Sequence, residues 1–220
     1  MAYVDFIEHV HKSTKRDYLA RVLAGDKAEF AAVAKKFDIE YWDGSRNTGY
    51  GGYHYDGRWL DVAKRMAGHY GLKAGDRVLD VGCGKGFLLY EFMRAVPGIE
   101  VAGLDVSRYA ITHCKPEVAA YLTEGNAVSL PFADKSFDLV VSINTLHNLQ
   151  LPELERALRE IERVGRGNKY VLMDSYRNER EKVNLTYWQL TCECFLTPSE
   201  WEWIFEKTGY TGDYGCIFFD

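Results

Sequence analysis

Two carboxylates bracket a run of alternate glycines in this chain. Asp80 stands two residues before Gly82, Gly84 and Gly86, and Asp105 ends the next apolar run. Glycines at that spacing leave a backbone bare enough for a ligand to lie against it. The flanking charge narrows the ligand. A carboxylate at Asp80 repels a pyrophosphate but suits a group bearing an ammonium and a sulfonium. Asp105, at a strand end, can accept two hydrogen bonds from a ribose diol. A dinucleotide fingerprint would place a third glycine where this chain has Phe87. The pattern therefore points to a cationic nucleoside, and an NAD-dependent oxidoreductase is the disfavoured reading.

Other residues could do chemistry beside that loop. His147 follows a strongly apolar run by a few residues and can remove a proton from an oxygen or ammonium acceptor; a histidine that only starts the next helix is the alternative. Asn144, at the run's end, can touch either ligand. The stretch Tyr41–Gly57 holds five glycines and five aromatic rings, with Arg46 among them. It reads as a lid that offers ring faces to a cation, with Tyr50, Tyr53 and Tyr55 foremost, or as packing for the preceding helices. Arg46 can pair with a carboxylate of the cofactor or of an acidic acceptor, or stay solvated. Asp174, Tyr176, Arg177 and Trp188 are expected along the acceptor pocket after the last long strand, with a structural role as the alternative for each. Cys83 is a small loop residue rather than a nucleophile, and no His or Cys spacing suits a metal.

These residues need elements to hold them. Residues 3–37 read as helical, with Tyr18, Leu19, Val22 and Leu23 on one stripe and Asp26 capping a second helix. Asp56 is expected to cap a helix carrying Leu60, Ala63 and Met66. From Arg77 strands alternate with helices: Val78–Val81, Val101–Asp105, Ala120–Thr123, Phe137–Ile143 and Tyr170–Met173 are the strands. That alternation predicts an α/β fold, a doubly wound and mostly parallel Rossmann-like sheet with ligands at the strand ends. The expected division is residues 1–59 as a helical extension and aromatic lid, and 60–220 as the ligand-binding domain.

Val78-Leu-Asp-Val-Gly-Cys-Gly-Lys-Gly86, Gly103-Leu-Asp-Val-Ser107 and Gly125-Asn-Ala through Phe137-Asp-Leu-Val-Val-Ser to His147 resemble the class I S-adenosylmethionine-dependent methyltransferases, in particular the branch acting on small molecules. The resemblance spans about residues 60–210. It implies a seven-stranded-type sheet with S-adenosyl-L-methionine as cofactor. The glycine loop, Cys83 included, would hold the methionine part, Asp105 and Val106 the ribose side, and Asn126 and Ala127 the adenine. The family usually has Asp where Asn126 stands, and usually ends in an antiparallel strand pair for which Tyr210–Asp220 has little room. The expected activity is methyl transfer to an oxygen or nitrogen of a metabolite acid, amine or sugar derivative; a non-catalytic cofactor-binding subunit is the alternative.

Composition sets outer limits. Of 220 residues, 47% are hydrophobic and 27% charged, which suits a globular chain able to bury a full core. A net charge of −5 argues against a nucleic-acid partner. So does Asn144-Thr-Leu-His147, which replaces the Asn-Pro-Pro-aromatic run of base-modifying relatives. Five cysteines without a C-x-x-C pair fit a reduced, cytoplasmic setting. No apolar run is long enough to span a membrane. Oligomeric state is not readable.

Overall fold

The computed structural model describes residues 1–13 and 15–220. Its apolar runs form six strands: β1 (Arg77–Val81), β2 (Glu100–Asp105), β3 (Leu122–Glu124), β4 (Phe137–Ile143), β5 (Gly165–Asp174) and β6 (Asp213–Ile217). They build one sheet in the order β3-β2-β1-β4-β5-β6, and every neighbouring pair is parallel. The order reverses between β1 and β4, and that switch opens a crevice at the strands' carboxyl ends. Asp80 pairs in register with Gly103 and Val141, which brings the glycine loop and Asp105 to the crevice together.

The expected α/β Rossmann-like sheet is present, with six strands rather than seven. No antiparallel pair closes the edge among the described residues. The position beyond β6 is taken from the other end of the chain: Tyr3 forms a parallel bridge to Tyr214, the Val4 N–H donates to the Tyr214 carbonyl at 2.8 Å, and the Tyr214 N–H donates to Ala2 at 3.0 Å.

Four short helices precede the sheet: α1 (Glu8–Lys12), α2 (Tyr18–Leu23), α3 (Lys27–Ala34) and α4 (Ile39–Trp42). Asp17 caps α2 through the Ala20 N–H, and Asp26 caps α3 through Ala28 and Glu29. The predicted α2 stripe is only partly inside. Tyr18 packs edge-on to Trp188, whereas Leu19 and Leu23 are exposed, because a helix of six residues has one turn to bury and spends it on Tyr18. Asp56 is not the cap of α5 (Trp59–Tyr70) either. Arg58 occupies that position, and Asp56 instead binds the Arg58 N–H and guanidinium.

Helices α6 (Phe87–Ala95) and α7 (Arg108–Thr112) follow β1 and β2, and α8 (Leu151–Val164) follows β4. After β5 come α9 (Glu179–Trp188), which is capped by Asn178, and α10 (Pro198–Thr208), which opens with the predicted Thr197/Glu200 capping box. The core has two layers. Leu154, Leu158 and Ile161 of α8 pack with Trp201 and Phe205 of α10 on one face. Met66 of α5, Leu89 and Phe92 of α6, Phe6 and Leu185 cover the other. Strand β4 lies between them, buried on both sides, which is why it reads as an unbroken apolar run.

Candidate functional site

The glycine loop starts where β1 ends. Gly82 and Gly84 both adopt positive φ, 84° and 53°. A Cβ on Gly82 would run into the Thr145 side chain, and one on Gly84 would come within 2.8 Å of the Trp42 ring. Gly86 serves differently: it turns the chain into α6 against Val118 and does not line the cavity. A cavity of about 300 Å³ lies over the loop. Asp80, Gly82, Cys83, Gly84, Asp105, Val106, Asn126, Ala127, Asn144 and Tyr50, all expected at a cofactor site, line it together.

Several acceptor atoms on the cavity wall have no hydrogen-bond partner. Asp80 is buried, and its Oδ1 has no partner. Burial first, and then the charge of Asp105, push its carboxyl up to about 8. The Oδ1 atoms of Asn144 and Asn148, on the same wall, are also buried and unpartnered. Asn144 is held at φ 56°, a strained setting for a side-chain-bearing residue at a strand end. Asp105 accepts backbone N–H groups on both oxygens, from Gly84 and Ser107, each at 2.7 Å, and keeps lone pairs for more. Asn126 accepts the Val128 N–H at 3.1 Å in a local turn. Val106 is 55% exposed along the cavity, an apolar surface open to a flat ring. A ligand with an ammonium, a diol and an aromatic amine would satisfy these groups, so the residues present fit S-adenosylmethionine.

The segment before α5 roofs the cavity. Trp42 donates through Nε1 to Ser107 Oγ at 2.8 Å and to the Phe37 carbonyl, and it stacks on Tyr50 with centroids 5.5 Å apart. Tyr53 stacks on Phe87, the ring that stands where a dinucleotide fold would carry glycine. Lys85, inside the glycine loop, is buried and binds both oxygens of Asp43 at 2.8 and 2.7 Å. Asp43 also accepts the Tyr109 hydroxyl and the Tyr53 N–H. Burial alone would raise its carboxyl, but these bonds, led by that of Lys85, hold it at about 2. Neither Lys85 nor Asp43 stood out in the sequence.

A second cavity of about 410 Å³ adjoins the first across Tyr41, Tyr50, Tyr53 and Asn144. Arg46, Tyr53, Trp188, His147 and Asp174 line it as expected, as do Arg16, Arg21, Gln189 and Thr191, which sequence reasoning missed. Tyr41, Tyr50 and Tyr53 all have hydroxyls pushed upward by burial, so they stay protonated. His147 is also buried, which lowers its pKa and keeps the ring neutral. Its Nδ1 accepts the Asp174 N–H at 3.2 Å, leaving Nε2 to face Asp174 Oδ2 at 3.5 Å. Both nitrogens are thus engaged by one residue, so His147 has no lone pair to offer an acceptor in this arrangement. Gln189 donates to the same Oδ2.

Three expected substrate contacts lie elsewhere. The Tyr55 hydroxyl donates to Glu91 Oε1 on α6 at 2.6 Å, outside both cavities. Arg177 pairs with Glu181 and Asp220 and takes Tyr176 with it, because α9 turns the chain away immediately after β5.

Residues 79–173 match the model of a methyltransferase domain family. Among curated proteins, the chain is 33% identical over 125 residues to phthiotriol/phenolphthiotriol dimycocerosates methyltransferase 1 of Mycobacterium ulcerans, covering 56% of this chain and 45% of that one. It is 31% identical to 27-O-demethylrifamycin SV methyltransferase of Amycolatopsis mediterranei, covering 61% and 49%. It is 30% identical to demethylmenaquinone methyltransferase of Symbiobacterium thermophilum, covering 66% and 60%. The chain thus spans roughly half the length of these relatives. Of solved structures, the YcgJ protein of Bacillus superposes with TM-score 0.56 at 23% identity over 70% of this chain and 68% of its own, which speaks to the fold.

Proposed function

We propose that this chain, as a class I S-adenosylmethionine-dependent methyltransferase, transfers a methyl group to an oxygen or nitrogen of a small-molecule acceptor held in the second cavity. When bound, S-adenosylmethionine supplies an electrophilic methyl on a sulfonium. The observation that carries the reading is the set of unpartnered acceptor atoms around the glycine loop, Asp80 Oδ1 above all, which a ligand bearing an ammonium would satisfy. Asp80 would take the ammonium, Asp105 the ribose diol, and Asn126 with Ala127 and Val106 the adenine. In-line displacement needs alignment and a dry site more than covalent help. Tyr41, Tyr50 and Tyr53 stand between the cavities, where ring faces can shield a sulfonium. Residues 1–59 act as the lid, fastened to the loop by Lys85 and Asp43.

For the acceptor's proton we assign Asp174, with His147 and Gln189 as the residues that position its carboxylate. Asp174→Asn is expected to lower kcat by about 100-fold with donor affinity unchanged, whereas His147→Gln, which keeps a donor near Oδ2, lowers it by about tenfold. Equal losses in the two variants would return the base to His147. The overall reading is tested by screening metabolites for S-adenosylhomocysteine release. A protein that binds S-adenosylhomocysteine but releases none with any acceptor class is the non-catalytic binding subunit instead.

A further inference from the structure

The second cavity is the electrostatic opposite of the first. Where the donor cavity presents unpartnered acceptor oxygens, this one gathers guanidinium groups around one ring. The Arg16, Arg21 and Arg46 guanidinium carbons lie 5.3, 4.8 and 5.3 Å from the centre of Trp188. Among the described residues, Arg21 donates to the carbonyls of Trp188 and Arg46, both at 2.8 Å, and Arg46 to those of Gly49 and Tyr50. Among the described residues, no ion pair joins either to a carboxylate. The cavity's one acid with that capacity, Asp174, is taken by His147 and Gln189. Like charges held this close repel: burial, and then the charge of Arg46, bring Arg21 down to about 10. A chain with net charge −5 has acids to spare, yet Asp174 is the one acid among the described residues that lines this cavity. A cluster of this kind costs stability unless an anion completes it.

We infer that Arg21 and Arg46, with Arg16 beside them, bind an oxyanion of the methyl acceptor, a carboxylate or a phosphate, over the face of Trp188. This rests on the methyl-transfer reading above. It also separates the acceptor from the cofactor's own carboxylate, since Arg21 and Arg46 line only the second cavity and the glycine loop lines only the first. Arginine suits both oxyanions, because its planar fork matches either geometry. Acceptors that are neutral or purely cationic do not meet these charges.

The test uses inorganic phosphate and malonate as probes, titrated at constant ionic strength into the full chain with and without saturating S-adenosylhomocysteine, and followed by calorimetry. Both conditions are expected to show saturable binding of at least one probe. Arg46→Met, at an exposed position, should weaken that binding by about tenfold or more while S-adenosylhomocysteine affinity stays within about twofold of wild type. Arg21→Met should weaken it likewise. The tighter probe tells a phosphate-bearing acceptor from a carboxylate-bearing one. No saturable binding, or equal binding by wild type and Arg46→Met, overturns the inference. So does probe binding that saturating S-adenosylhomocysteine abolishes together with a loss of S-adenosylhomocysteine affinity in Arg46→Met, which would give these arginines to the cofactor. Failure of S-adenosylhomocysteine to bind wild type would sink the methyl-transfer reading instead, and leaves the probe titrations to be judged alone.

Discussion

Asp80→Asn is expected to weaken S-adenosylhomocysteine binding by about 100-fold and, at the same time, to stabilise the ligand-free protein. The two effects share one cause. A buried carboxyl with a pKa of about 8, against 3.8 in the unfolded chain, stays protonated in the fold while the unfolded state ionises. Its folded-state pKa is raised, so its contribution to stability is complete below about pH 4, declines as pH rises, and levels off above about 8. Asparagine has no such titration. The gain over wild type should therefore grow from pH 4 to pH 8 and reach on the order of 3 kcal/mol, allowing for water in the open cavity. A bound ammonium reverses the balance by favouring the charged form. Between about pH 5.5 and 7.5, binding to wild type should release close to one proton and tighten with pH, measurable by calorimetry in buffers of different ionisation enthalpy. Chemical denaturation at several pH values checks the other half. A variant that binds normally, or a stability difference flat in pH, removes Asp80 from the role given to it.

Gly82→Ala should cost about 3 kcal/mol or more and abolish donor binding. The Cβ must both occupy a left-handed backbone position and displace the Thr145 side chain, which lies against the Gly82 α-carbon. Gly209, at φ 73° and with nothing within 4 Å of its would-be Cβ, supplies the control. Gly209→Ala should cost only about 1 kcal/mol, the backbone share alone. Adding Thr145→Gly to Gly82→Ala should recover part of the difference. Urea denaturation of the four proteins decides it: similar losses at both glycines would mean that the loop is not closed by contact with Thr145.

The residues legible in the sequence were those whose role is local. Gly82, Gly84, Asp80 and Asp105 announce themselves because strand, turn and carboxylate follow one another within a few residues, and the parallel sheet then has little freedom in where it puts them. Strand β4 was legible for the same reason: burial on both faces leaves an uninterrupted apolar run. What escaped notice depends on long-range meeting. Arg16 lies in the connection between α1 and α2 and Arg21 on the short α2, and only their approach to Trp188, far along the chain, makes them a cluster. Lys85 looked like an ordinary loop residue until Asp43 appeared beside it. Tyr55 and Arg177 failed in the opposite sense. Each stands one step from the crevice in sequence, but finds a carboxylate on a neighbouring helix, Glu91 or Glu181, and is drawn off to it.

The edge pairing of Tyr3 with Tyr214 has a bearing on how the protein comes to exist. The second cavity is walled by Ile7, His11 and Arg16 from one end of the chain and by Ile217 and Phe219 from the other. Contacts separated by some two hundred residues form late, since the loop they close must be ordered first. During synthesis, the strands and glycine loop needed for the donor emerge well before residues 213–219 do. A growing chain can thus assemble the donor crevice while the arginine-lined cavity still lacks a wall. The second cavity is complete only when β6 docks and brings Tyr3 and its neighbours onto the sheet.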